Sequence, residues 1–200
     1  MQPWLGWRHV VGNTYGTWLP GDERGFRTRH HREHVEGDYR NRPPRQRDQW
    51  RRDHARRLMK RDAVLLTPAM RPLVCRAIAE KVLSFGFEVA ELAVMEKHFH
   101  ALCRFDVEQG PRMAIRGLCP DNALADGRDP VPRHVIGVAK KHATHMLREA
   151  GLKSWQGTLW ARRPHIIPVE DADHFDFLRR RYLPDHVREG GVLWSELRRG

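Results

Sequence analysis

Apolar positions along the chain recur with two periods, and these periods predict alternating strands and helices. Residues 7–15 are rich in valine and aromatic side chains, which predicts a first strand. Thr67-Pro68 predicts a helix start, because threonine caps the first turn and proline fits the first helical position. Apolar residues recur at helical spacing from there to Gly86, which predicts the end of that helix.

The second half of the chain predicts a hairpin followed by two further helices. Apolar patterns over 87–96 and 98–105 flank a short polar turn, as two antiparallel strands would. Residues 192–194 either add an edge strand or pack on the core. The remaining predicted elements are a helix over 133–150, a short last strand over 158–160 and a final helix over 171–183.

The predicted order is strand, helix, strand, strand, helix, strand, helix. This split β-α-β pattern predicts a ferredoxin-like α+β sandwich, an antiparallel sheet with helices on one face. We expect one domain over 1–200, interrupted by a basic arm at 22–62 and a loop insertion at 106–130. No internal repeat breaks this order.

Charge adds a first indication of function. The chain has 36 basic and 25 acidic residues, a net +11, and fourteen basic against five acidic residues lie between Arg24 and Arg61. A segment this basic and this poor in aliphatic residues suits contacts with nucleic-acid phosphates. The alternative is a solvated loop with no specific partner.

Two broad classes of protein are not expected. No apolar run reaches the roughly 18 residues of a membrane-spanning helix, so we expect no membrane partner. Three widely spaced cysteines support neither a disulfide framework nor a zinc ribbon, and the beginning of the chain lacks the pattern of a secretory signal. We therefore expect a cytoplasmic, nucleoid-associated protein.

The candidate chemistry begins with His98-Phe99-His100, at the start of a predicted strand. Side chains alternate along a strand, so both imidazoles should lie on one face and Phe99 on the other. Two such imidazoles can chelate one divalent metal ion together with one or two further ligands. The alternative is a pair of polar residues on the solvated side of a half-buried strand.

The surrounding sequence resembles a known family. Residues 94–102, VMEKHFHAL, resemble the hairpin of the single-tyrosine HUH transposases, which typically have Val-Met-Pro-Asn-His-Val-His-Leu-Leu. Residues 14–25 resemble the N-terminal block of the REP-associated branch of that family. Residues 139–144 occupy the place of its lysine-bearing helix, and 160–167 resemble its Trp-Gln-Arg…His-Ile-Ile block. The resemblance covers most of the chain apart from the basic arm and the 106–130 insertion.

This resemblance implies binding of single-stranded or hairpin DNA, with site-specific strand cleavage and transfer (DNA transposition) as the ancestral activity. It implies His98, His100 and His165 as ligands of a divalent metal ion, Mn²⁺ or Mg²⁺. In the family, a tyrosine attacks the phosphate that the metal polarises and forms a 5′-phosphotyrosine link. The resemblance also implies a homodimer.

The nucleophile departs from the family pattern. The family's tyrosine stands a few residues before the third ligand, but Arg162, Arg163 and Pro164 precede His165 here. Arginine stays protonated and proline has no nucleophilic side chain, so neither can replace the tyrosine.

Three tyrosines are therefore the candidates for a surrogate nucleophile. Tyr182 shares helical spacing with apolar residues, which predicts a core position. Tyr39 lies in the basic arm, where nothing positions it. Tyr15 ends the first strand, which in a ferredoxin-like sheet runs antiparallel beside the strand of His98. Tyr15 is therefore the candidate that we name.

Three functions remain open on the sequence alone. The chain is a DNA-binding domesticated transposase without a nucleophile, or an active enzyme that uses a surrogate tyrosine or a water activated by the metal, or a module that binds structured RNA hairpins. Trp18 or Trp50 would stack on bases. The predicted phosphate contacts are Arg42, Arg45, Arg47, Arg51, Arg52, Lys140, Lys141, Arg162 and Arg163, although the two lysines equally fit an ordinary solvated helix face.

Overall fold

The fold is taken from a computed structural model that describes residues 4–22, 25–27, 34–36, 48–105 and 130–195. The strands are β1 (Trp7–Asn13), β2 (Gly25–Arg27), β3 (His34–Glu36), β4 (Glu88–Val94), β5 (His98–Arg104), β6 (His165–Pro168) and β7 (Val192–Ser195). The helices are α1 (Gln49–Arg57), α2 (Met70–Ser84), α3 (Pro130–Glu149), α4 (Ala172–Phe177) and α5 (Leu183–Arg188), with a π-helical turn, Leu178–Tyr182, joining the last two.

Five strands form one open antiparallel sheet in the order β6-β1-β5-β4-β7. Without β7, this is the order fourth, first, third, second of a split β-α-β unit, consistent with a ferredoxin-like α+β fold. The strand β7 pairs with β4 at the edge, which confirms the edge-strand alternative for residues 192–194. The strands β2 and β3 pair separately with each other.

One face of the sheet, the apolar face, packs against α2 and α3. Val10, Leu92 and Phe99 from the strands are fully buried there with Ile78 of α2 and Ile136 of α3. Burying these side chains removes the largest apolar area of the fold from water, so this face supplies most of the hydrophobic stabilisation.

The opposite face, the histidine face, is covered as well, so the prediction of helices on one face only is wrong. Trp7 of β1 and Leu102 of β5 pack there against Leu178 and Leu183 of the C-terminal helical segment, residues 172–188. The strands carry apolar side chains on both faces of the sheet. If the histidine face were uncovered, its apolar side chains would lie in water.

The last strand of the split β-α-β unit lies later in the chain than predicted. Residues 158–160 form no strand, and Trp160 contributes one isolated bridge to Thr14. Instead, β6 pairs with β1 through residues 165–168. Its apolar pair, Ile166-Ile167, is too short a pattern to predict a strand on its own.

Much of the predicted basic arm, 22–62, lies outside the described residues, and its described part includes α1. No residue of α1 is buried. The prediction of a loop at 106–130 lies, except for its last residue, outside the described residues. No helix in the described ranges is long and apolar enough to cross a membrane.

Candidate metal centre and its tyrosine

His98 and His100 stand at the start of β5 on the histidine face. Their ring centroids are 4.8 Å apart, and Phe99 between them is fully buried on the apolar face. The predicted alternation of these three side chains is therefore confirmed. His100 is buried and His98 is half-buried, so one side of the pair stays open to solvent.

A third histidine, His186 of α5, joins this pair. The nearest ring nitrogens of His98, His100 and His186 all lie within 4.8 Å of one another. The His100 and His186 ring centroids are 4.7 Å apart. The group, called here the three-histidine cluster, joins a central strand to the C-terminal helical segment.

The π-helical turn brings α5 to this position. A proline inside a regular α-helix clashes with the carbonyl four residues earlier, and the sequence therefore predicted a helix end at Pro184. The wider turn over Leu178–Tyr182 comes just before that proline, and the helical path continues through α5 to Arg188. Turns of this kind are frequent at functional sites.

Two glycines end α5 close to the hairpin that carries His98. Gly190 has a φ of 84°, and its N–H donates to the Val187 carbonyl while that of Gly191 donates to the His186 carbonyl. This is a Schellman motif, which needs the left-handed conformation that glycine adopts without strain. A Cβ on Gly191 would clash with the Met95 Sδ atom. The close approach holds His186 against the β4–β5 turn.

His165, the predicted third ligand, is not in the three-histidine cluster. It is exposed at the start of β6, paired with Val11, and the whole of β1 separates its strand from β5. His186 lies with His98 and His100 instead. The sequence carries one signal for this residue: Tyr182 and His186 are four residues apart, the spacing that puts two side chains on one helix face.

The cluster has the properties that a metal site needs. Both ring nitrogens of His186 are buried without a hydrogen-bond partner, and Nδ1 lies 3.6 Å from a Glu189 carboxylate oxygen. Burial, and then the charges of His9, His98 and His186, lower the pKa of His100 well below its usual value, so this imidazole is neutral at pH 7. Imidazole nitrogens suit a borderline divalent ion better than Mg²⁺, which prefers oxygen. The residues present therefore fit a divalent transition metal.

Tyr182 lies against the same cluster. Its ring centroid is 4.9 Å from that of His186 and 5.3 Å from that of His100. Burial, and then the charge of Glu189, raise the pKa of the Tyr182 hydroxyl, which keeps its proton at neutral pH. Tyr182 does pack beside the apolar residues of the histidine face, as a core residue would, but it also faces the histidines.

Tyr15, our named candidate, occupies a different environment. It lies in the turn after β1, packs against the apolar face and has the Arg61 guanidinium 3.8 Å above its ring. The chain leaves the strand after Asn13. The backbone at Tyr15 therefore lies near His98, as expected, but the Tyr15 ring does not. The tyrosine in contact with the histidines is Tyr182. Tyr39 lies outside the described residues.

The predicted nucleic-acid contacts differ in their exposure to solvent. Lys141, Arg162 and Arg163 are exposed, Arg51 and Arg52 are half-buried on α1, and Trp18 and Trp50 are exposed. Arg42, Arg45 and Arg47 lie outside the described residues.

Lys140 does not fit the phosphate-binding role predicted for it. Its side chain is buried, and its ammonium group donates to the Ala161 carbonyl at 2.7 Å. Burial lowers the pKa of this group to about 8. The spacing of α3 turns Lys140 inward and Lys141 outward, so Lys140 ties the 160–161 segment to α3.

Comparisons with known proteins add no identification. A scan against models of known protein families found no match to this chain, and a search of curated proteins found none either.

Proposed function

We propose that this protein is a divalent-metal-dependent enzyme of the HUH type that cleaves and rejoins single-stranded or hairpin DNA, with Tyr182 as the nucleophile. The observation that carries the proposal is the position of the Tyr182 ring. Its centroid is 4.9 Å from that of His186, which belongs to the three-histidine cluster that fits a metal. The family resemblance of the hairpin around His98 supports the same chemistry.

The chemistry assigned to the residues is a reversible phosphoryl transfer. His98, His100 and His186 would hold the ion, which when bound supplies positive charge to the scissile phosphate. The Tyr182 oxygen forms a bond to phosphorus as the bond from phosphorus to the 3′ oxygen breaks. The phenolic proton passes to a base and the 3′ oxygen takes one up, so the step is balanced.

The charged surface supports a nucleic-acid substrate. Arg162 and Arg163 are exposed just before β6, and Trp50 on α1 is 62% exposed with the Arg51 guanidinium 5.1 Å above its ring. Arginine with an accessible indole is a combination that binds backbone phosphate and stacks on an unpaired base. A homodimer remains a prediction.

The test uses a pool of hairpin-forming single-stranded DNA with randomised flanks, labelled at the 3′ end. A 5′-phosphotyrosine link leaves the 3′ fragment on the protein, so the label should migrate with the protein after denaturation in the presence of Mn²⁺. Tyr182→Phe should abolish this adduct. Tyr15→Phe is the matched control and should keep it.

Other outcomes would select the alternatives. Loss of the adduct in Tyr15→Phe but not in Tyr182→Phe would restore Tyr15 as the nucleophile. Free cut ends without an adduct, unchanged in Tyr182→Phe, would indicate hydrolysis by activated water. Binding of the pool without cutting would indicate a domesticated binding protein, and at least tenfold tighter binding of the same hairpin as RNA would indicate an RNA-binding module.

A further inference from the structure

A fourth histidine, His9, lies behind the cluster on the neighbouring strand. His9 of β1 is buried, and its Nε2 is 2.9 Å from the Nδ1 of His100. In the strand register it stands opposite Leu102, so it reaches His100 diagonally across the β1–β5 ladder.

The geometry is that of a hydrogen bond in the plane of both rings. The ring centroids are 5.1 Å apart and the planes differ by 24°. Two coplanar imidazoles joined end to end have about this separation, since each ring adds roughly 1 Å to the N···N distance of a hydrogen bond. Face-to-face stacking does not explain the short N···N contact.

One proton lies between these two nitrogens. Which of the two nitrogens carries it determines whether His100 can bind a metal ion. If His9 donates, His100 carries its own proton on Nε2 and has no free lone pair. If His100 donates from Nδ1, its Nε2 is free to bind an ion. Only the second arrangement makes His100 a ligand, and it requires His9 to be the acceptor.

We propose that His9 is a positioning residue that fixes the tautomer and ring orientation of His100 for metal binding. This inference rests on the metal site of the proposed function. His9 itself is buried behind the cluster, and the metal-binding group of three does not include it. Removing such a supporting group typically weakens metal affinity 10- to 100-fold.

The His9 environment allows conservative and disruptive replacements to be compared. Glutamine places an acceptor oxygen near the position of the histidine Nε2, whereas methionine has similar volume and no comparable acceptor. His145, exposed on α3, offers a matched control in which one histidine is lost far from the site.

The experiment measures Co²⁺ and Zn²⁺ affinity of the full chain without DNA, for the wild type, His9→Met, His9→Gln and His145→Gln. We expect His9→Met to lose 10- to 100-fold in affinity, and the other two to stay within about threefold of the wild type. Urea unfolding of each variant identifies any that fails to fold.

Imidazole ¹⁵N spectra of the wild type with Zn²⁺ keep the test decisive if His9→Met does not fold. They should show His100 protonated at Nδ1 and metal-bound through Nε2. Equal affinity of a folded His9→Met and the wild type, or His100 bound through Nδ1, would overturn this inference alone. A wild type that binds neither ion would overturn the metal site of the proposed function as well.

Discussion

The two faces of the sheet have different roles. The apolar face buries Phe99 and Val10 under two long helices. The histidine face is apolar at one end, around Trp7 and Leu102, and carries imidazoles and a phenol at the other. Alternation along β5 separates the two by a single residue, so stability and chemistry should respond independently to neighbouring substitutions.

The largest expected effect is on the apolar face. Phe99→Ala removes a fully buried ring and should lower the free energy of unfolding by about 3–5 kcal/mol. Urea denaturation measures this, and Co²⁺ affinity of the folded protein should stay within about threefold. A loss of less than about 1 kcal/mol would mean that the stability of the fold lies elsewhere.

Lys140 should make a pH-dependent difference of about 3 kcal/mol. Its pKa is about 8 when folded against 10.5 in the unfolded chain, so the unfolded state binds the proton more tightly. The penalty is full below pH 8 and is lost by about pH 10.5. The wild type should therefore gain stability relative to Lys140→Met between these values.

Urea unfolding at pH 7.5 and pH 10 checks this difference, with Lys141→Met as the exposed control. A difference between the wild type and Lys140→Met that does not change with pH would show that the ammonium group is solvated.

On the histidine face, His186→Leu should have the opposite effect to Phe99→Ala: it should weaken metal binding and leave stability almost unchanged. Loss of one of three ligands should weaken Co²⁺ binding at least about 100-fold, equivalent to about 2.7 kcal/mol. The ring nitrogens of His186 are buried without a hydrogen-bond partner, and the Glu189 carboxylate 3.6 Å from Nδ1 is exposed, so leucine should leave the free energy of unfolding within about 1 kcal/mol. His165→Leu is the control, and a larger loss of affinity there would restore His165 as the third ligand.

The smallest expected effect concerns the junction of the two ends of the histidine face. Gly191→Ala forces a methyl group against Met95 and the His186 carbonyl, and should cost about 1–2 kcal/mol of stability. Co²⁺ affinity should fall as His186 moves away from β5. The exposed Gly151→Ala, strained only by its φ of 68°, is the control that should lose stability without affecting Co²⁺.

The sequence predicted the strands β1, β4 and β5 and two of the three histidines of the cluster, for identifiable reasons. Alternation is a local property of a strand, so the spacing of His98, Phe99 and His100 is enough to assign each of them to a face. His186 was missed because Pro184 indicated a helix end before it, whereas the chain continues through a π-helical turn into α5; only its four-residue spacing from Tyr182 pointed to it. His9 could not be predicted, since its partner lies 91 residues away along the chain and depends on strand register.

The glycine pair after α5 leads directly into β7, and that strand pairs with β4 at the sheet edge. The pairing of this edge strand thus sets the position of the third imidazole, although the strand touches neither metal nor nucleic acid in our proposal. A mutational survey scored by activity should therefore find sensitive positions along this rim, remote from any reacting atom. Without knowledge of the backbone path, such positions would be mistaken for a binding surface.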